Sequence, residues 1–281
     1  MAIKIITDSA SDISTEEAKQ LGISVIPMEI NFLDKVYLDG IDLTNDDFYD
    51  MLVSCKELPK TSQINPYRFT DYFDNIVKDG DKAIVILISS KLSGTYKNAK
   101  ILEADYDNNI YVLDSLSVSI GERLLILYAQ ELISSGYSFT EIIKLLEEKK
   151  KNLKLIAKLD TLKYLRKGGR ISSIVAFAGE ALNIKPIIGV INGEVKMIGK
   201  GRGVQNANKQ ITKLIEENGG IDENLPFGTI YSGKDNSLLK KYIEENKRNF
   251  IKIDDVPMHQ LGCTVGTHIG PNGIGIAFFK K

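Results

Sequence analysis

The stretch Ala83-Ile84-Val85-Ile86-Leu87-Ile88-Ser89-Ser90-Lys91-Leu92-Ser93-Gly94-Thr95 runs an unbroken aliphatic segment into a loop of hydroxyls and glycine. Six apolar residues without alternation read as a strand buried on both faces, as in a parallel sheet. A helical pattern resumes at Tyr96, so the hydroxyl loop falls at the carboxyl end of that strand, where open α/β sheets take their ligands. Ser93 or Thr95 is also a plain helix cap, and the loop by itself decides nothing about function.

Working outward, Ile3 to Thr7, Val25 to Ile30 and Ile110 to Leu113 read as further buried strands. Ser14 opens a Ser-x-x-Glu capping box with Glu17, and Asn65 before Pro66 is an N-cap followed by a favoured first helical residue. Helical segments over 96–106, 120–135 and 139–150 complete a βαβα alternation across roughly the first 155 residues, which predicts a mainly parallel, Rossmann-like sheet with flanking helices. After Asp160 the texture changes. Pro186 to Ile191, Asn192-Gly193 and Glu194 to Lys200 form a hairpin pattern. Helices near 204–217 and 237–249, a strand near 229–231 and a terminal strand over 274–279 make this half α+β. The expectation is α/β with two domains, 1–158 and 159–281, the segment about 56–78 packing with the second, and a ligand cleft between them.

The length of 281 residues is ample for such an arrangement, and 43% apolar with 26% charged residues is ordinary for a soluble globular chain. A formal charge of −1 gives no global footprint for nucleic acid. The charge is nevertheless uneven: from Lys158 to Lys213 eleven Lys or Arg face three acids, a local +8. Cys55 and Cys263 lie far apart without clustered histidines, which excludes a Cys/His zinc site and suggests free thiols. Asp8 interrupts any apolar signal-peptide core, and six aliphatic residues in a row are far short of the ~20 a bilayer needs, so the expected location is cytoplasmic.

No Walker A sequence, G-x-G-x-x-G, H-E-x-x-H or G-x-S-x-G is present. Three hydroxyl clusters stand out instead: Asp8-Ser9-Ala10-Ser11-Asp12, Thr61-Ser62-Gln63 and Ser93-Gly94-Thr95. Gly266-Thr267-His268-Ile269-Gly270-Pro271-Asn272-Gly273 surrounds a histidine with glycine and proline, which predicts an unusual backbone path close to a small anionic group. Leu165-Arg166-Lys167-Gly168-Gly169-Arg170-Ile171 leads into a predicted helix bearing Ile171, Ile174, Val175, Ala178 and Leu182 on one face. That stripe is a core face by default, yet Ala176, Gly179 and Ala181 leave room for a slender apolar chain.

Taken in order, Thr7-Asp8-Ser9, Thr61-Ser62-Gln63, Ser93-Gly94-Thr95, Leu165 to Ile171, Lys185-Pro186 and Gly266-Thr267-His268 resemble the DegV family along the whole chain. That family includes the fatty acid-binding subunits of bacterial fatty acid kinase. Ile64 and Asn65 depart from its frequent Pro and Ser or Thr, as Asn272 does from its common Gly. The resemblance implies one enclosed long-chain fatty acid, no cofactor in this chain, and a separate kinase subunit supplying ATP and metal. By motif match Thr61, Ser62, Ser93, Gly94 and His268 hold the carboxylate, and Ile171, Ile174, Val175, Ala178 and Leu182 face the tail. Arg170 stands nearest the transferred phosphoryl group, and Lys163, Arg166, Arg170, Lys200 and Arg202 dock the kinase. An acyltransferase or a membrane surface is a further partner implied by that role. Two other readings stay open: a serine hydrolase built on Ser93, His268 and an acid such as Asp114, and a lipid-responsive regulatory protein.

Overall fold

The computed structural model describes residues 1–171, 183–247, 250 and 256–281. Strand β1 (Ile3–Asp8) ends in Asp8, whose carboxylate accepts from the Ala10 amide and starts the turn that follows. Helix α1 (Thr15–Leu21) is capped by Ser14 at one end and by left-handed Gly22 at the other. Strand β2 (Ile23–Ile26) then runs parallel to β1. The single strand expected over Val25 to Ile30 is two strands. Pro27 offers no N–H to a ladder, and past it β3 (Glu29–Phe32) joins a different sheet. There it pairs antiparallel with β4 (Lys35–Leu38) on one side and, after helix α2 (Asn45–Ser54), with β5 (Lys60–Ser62) on the other.

Helix α3 (Pro66–Lys78) begins at the Asn65 cap, and β6 (Lys82–Leu87) lies parallel beside β1. Helix α4 (Thr95–Leu102) is shorter than the pattern over 96–106 predicts, because Glu103–Tyr106 tightens into a 3₁₀ turn and the Glu103 carboxylate accepts the Val112 amide at 2.6 Å. That bond anchors β7 (Ile110–Asp114), the last strand of a parallel sheet in the order β2-β1-β6-β7. Helix α5 (Ile120–Ser134) is apolar almost all round, so it must be covered on both sides. It packs against β1 and β6 on one side and against strands of the second large sheet on the other. Helix α6 (Phe139–Lys149) follows behind a capping box of Ser138 and Glu141.

The second sheet starts with β8 (Leu153–Lys158), after which comes the short helix α7 (Lys163–Gly168). The predicted hairpin is β9 (Ile184–Ile191) and β10 (Glu194–Arg202), joined by Asn192 and Gly193 at φ 52° and 82°, as a two-residue turn demands. Then come α8 (Gly203–Glu217), β11 (Phe227–Tyr231), α9 (Ser237–Glu245), β12 (Met258–Gln260), α10 (Cys263–Ile269) and β13 (Ile274–Phe279). The six-stranded order is β10-β9-β8-β13-β11-β12, antiparallel except for β11 with β12. Strand β13 pairs with β8 along its length, whereas β8 and β9 pair only over Ile156–Lys158 and Ile187–Gly189.

The fold is therefore mixed α/β, with the expected parallel sheet and flanking helices, a second large sheet, and a three-stranded sheet that no sequence pattern announced. His268 does not sit in a Gly/Pro loop as expected. Residues 263–269 are the helix α10, and the irregular path begins at Gly270, φ 73°. Small residues permit this: a side chain at Gly266 would meet Phe48 and Tyr49 of α2 at 2.8 and 2.9 Å. Both cysteines are free thiols, Cys263 buried and Cys55 half-buried. Among the described residues no helix is long and apolar enough to cross a membrane.

Candidate functional site

Pairing of β5 with β3 places Thr61 beside Ile30 and Ser62 beside Glu29. On the other side of the site, the turn after β6 is held by Leu92 and Ser93 amides donating to the Ser89 carbonyl, and the Ser93 hydroxyl accepts from the Thr95 amide. The two segments are stitched together: the Ile64 amide donates to Thr95 Oγ1 at 3.1 Å and Asn98 Nδ2 to the Ile64 carbonyl at 2.8 Å. Gln63 lies across Gly94 so closely that a Cβ there would be 1.8 Å from its Oε1. Helix α10 brings in His268, whose Nε2 is 3.0 Å from Thr61 Oγ1.

The other face of His268 is closed by Gly168 at the end of α7, where a Cβ would stand 2.1 Å from Nδ1. That nitrogen is buried without a hydrogen-bond partner among the described residues. Burial, with the Arg170 charge second, pushes the His268 pKa down to about 4, so the ring is neutral at neutral pH and can donate from one nitrogen while accepting at the other. Arg170 is exposed and oriented by two carbonyls, donating from Nε to Leu92 at 3.3 Å and from Nη1 to Gly168 at 2.6 Å.

Arg170 and His268 both line a cavity of about 820 Å³, its open mouth included. Its walls are otherwise largely apolar: Leu92, Val118, Leu155, Ile188, Val190 and Val265 among others. The apolar lining with a few convergent polar groups is that of a small-molecule site. None of Thr61, Ser62, Ser93 and Gly94 is among the lining residues; Thr61 touches the cavity through its contact with His268. Ser62 Oγ accepts from Asn31 Nδ2 at 3.0 Å, a partner no motif pointed to.

Ile171 is half-buried against the cluster of Leu159, Leu162, Leu165, Ile188 and Val195, while Ile174, Val175, Ala178 and Leu182 lie outside the described residues. The apolar walls that are seen are gathered from many elements, among them β8, β9, β11 and α10, and residue by residue they look in sequence like any core. Lys163 and Arg166 are exposed on α7, beside the mouth, and Lys200 and Arg202 are exposed on β10 opposite Pro186 and Ile184. The hydrolase arrangement does not form. Ser93 Oγ is engaged with Thr95 Oγ1 at 2.9 Å, and Asp114 Oδ1 accepts the Ser90 and Leu116 amides, so neither is hydrogen-bonded to His268.

The DegV family model matches residues 2–281. A DegV domain-containing protein of Caldanaerobacter subterraneus subsp. tengcongensis is 37% identical over 281 residues, covering 99% of both chains. Among solved structures, the fatty-acid-binding DegV family protein of Thermus thermophilus superposes with a TM-score of 0.90 at 26% identity, covering all of both chains. DegV of Bacillus subtilis, a fatty acid binding protein, gives a TM-score of 0.85 at 31% identity, again over both whole chains.

Proposed function

Because the chain belongs to the DegV family, we propose that it binds one long-chain fatty acid and presents the carboxylate to a separate ATP-dependent kinase subunit. The observation that carries this reading is the apolar cavity with a neutral histidine and an arginine in its lining, in a fold shared with fatty-acid-binding relatives. Hydroxyls of Thr61, Ser62 and Ser93, the Gly94 amide and the His268 ring satisfy the carboxylate without a full counter-charge. Its oxygen is left able to attack the γ-phosphorus of ATP, ADP departs, and the acyl phosphate remains bound. Arg170 stands where a guanidinium takes up phosphoryl charge. The chain is a substrate-presenting carrier; ATP and metal belong to the kinase.

The division of labour follows the elements: head group at the cleft where β5, the turn after β6 and α10 meet, tail in the half built on the six-stranded sheet. We place that division just before β8 and not after Lys158, because β8 pairs throughout with β13. The exposed cations Lys163, Arg166, Lys200 and Arg202 are assigned to docking the kinase, with the exposed Arg170 at the shared edge. The carrier works in the cytoplasm in this reading, and its product passes to an acyltransferase at the membrane.

Mass spectrometry of the purified chain, native and after organic extraction, tests the binding step. One fatty acid per chain supports it; none, even after incubation with a range of fatty acids, refutes it. Arg170→Ala separates the two steps: it should leave fatty acid affinity within a factor of two and suppress acyl phosphate formation. Loss of binding instead would move Arg170 into the pocket.

A further inference from the structure

We propose that the cavity continues through the six-stranded sheet into a second groove, and that this groove takes the methyl ends of acyl chains too long for the first cavity. The proposal rests on the fatty-acid reading above. Its observation is a break in strand pairing. Strands β8 and β9 are joined only from Ile156 opposite Gly189 to Lys158 opposite Ile187, although both continue beyond, so Leu155 and Val190 face each other without a ladder. These two residues line the cavity on one side and also a groove of about 1000 Å³ on the other.

The groove has an apolar floor of Leu116, Ile156, Ile198 and Leu214, none of which lines the first cavity. At Gly189 the Ile198 side chain lies directly on the backbone, within 2.9 Å of where a Cβ would stand, so Ile198 is the side chain an entering chain end would meet first. Lys150, Lys151 and Lys154 form the rim, and burial lowers the pKa of Lys154, with the neighbouring Lys280 charge second. Their alkyl stems extend the apolar lining, and the Lys150 ammonium is tied back to the Asp114 carbonyl and the Glu147 carboxylate. A carboxylate would have to cross the apolar cavity to reach this rim from the His268 mouth, so the uncharged end of the ligand is the natural occupant. The wall is two side chains thick, Leu155 and Val190, and these set the longest chain that binds fully covered.

The test measures affinities of tetradecanoate, octadecanoate and docosanoate for the full chain and for Leu155→Phe, Val190→Phe and Leu214→Glu. Each methylene that enters the groove is worth roughly fourfold in affinity. Leu214→Glu should therefore cost docosanoate about tenfold or more and leave tetradecanoate within about twofold, whereas Leu155→Phe and Val190→Phe, which also change the first cavity, should weaken docosanoate at least about tenfold more than tetradecanoate. Leu214→Glu is the decisive variant, because it changes the groove alone. Docosanoate binding unaltered in all three variants, or a uniform loss across all three fatty acids, overturns the passage. If the unmodified chain binds none of the three fatty acids, it is the fatty-acid reading itself that fails.

Discussion

At the scale of single residues, the site depends on an imidazole kept uncharged. His268 is buried and lies close to the Arg170 guanidinium, and burial first, with that charge second, holds its pKa at about 4. A carboxylate arriving beside the ring reverses the balance, since an opposite charge favours the protonated form. We expect the His268 pKa to rise by at least one unit on loading. The chain has only two histidines, so a proton NMR titration with and without octadecanoate can follow each ring. An unmoved His268 would place the carboxylate elsewhere. Ser93→Ala should weaken fatty acid binding by about 1 to 3 kcal/mol, as for a hydrogen bond to a charged group, with the fold intact; titration calorimetry reads the affinity and scanning calorimetry the melting transition. Thr61, Ser93 and His268 were recognisable in sequence because hydroxyls and a histidine beside glycines are unusual enough to stand out. Asn31 was not, since one asparagine in a strand carries no pattern.

At the scale of elements, two glycines do opposite work. A methyl at Gly94 would run into the far end of the Gln63 side chain, which can swing away. A methyl at Gly168 would run into an imidazole already pinned on its other side by Thr61, and α7 and α10 would have to separate. Gly168→Ala should therefore cost at least tenfold in fatty acid affinity, and Gly94→Ala less than threefold, in the same binding assay. Equal effects would show that His268 is free to turn. Element types came largely from local signals: the capping boxes at Ser14 and Ser138, the Asn65–Pro66 start and the Asn192–Gly193 turn each act over a few residues. What local signals do not carry is long-range pairing. The sheet of β3, β4 and β5 joins residues thirty apart through short, half-polar strands, and α10 is a helix because small residues let it lie on α2, in spite of its glycine and two threonines.

At the scale of the whole molecule, buried charge shapes the response to pH. Burial pushes the pKa of Asp8 and of Asp12 up to about 7, and raises those of Asp39 and Glu122 as well. In the unfolded chain these groups titrate near the usual carboxylate value of about 4. Between the two values the folded state holds more protons, so stability falls as pH rises. His259 and His268, both depressed to about 4, act the other way but only below their unfolded pKa near 6.5. Above that point the carboxyl groups act alone until Lys158, lowered to about 8, begins to add stability. The melting temperature should thus fall between pH 6.5 and 8, and Asp12→Asn should flatten the slope; a rising curve would contradict the buried carboxyl groups. Sequence showed Asp8 and Asp12 only as a polar turn, since burial is a property of the assembled fold. Removing bound fatty acid should lower the melting temperature too, by mass action on the folded state; an unchanged transition after delipidation would count against an enclosed tail.

Strand β13 also imposes an order in time. The parallel sheet has all its strands by Asp114, whereas the six-stranded sheet waits for Ile274 to Phe279, which sit between β8 and β11 and contribute Ile274 and Gly275 to the cavity wall. At roughly 5 to 20 residues per second of synthesis, about 10 to 30 seconds separate the two events on the ribosome. Once made, first β8 and later β11 offer open apolar edges until β13 arrives, so the growing second half, and not the finished protein, is the stage most open to mispairing.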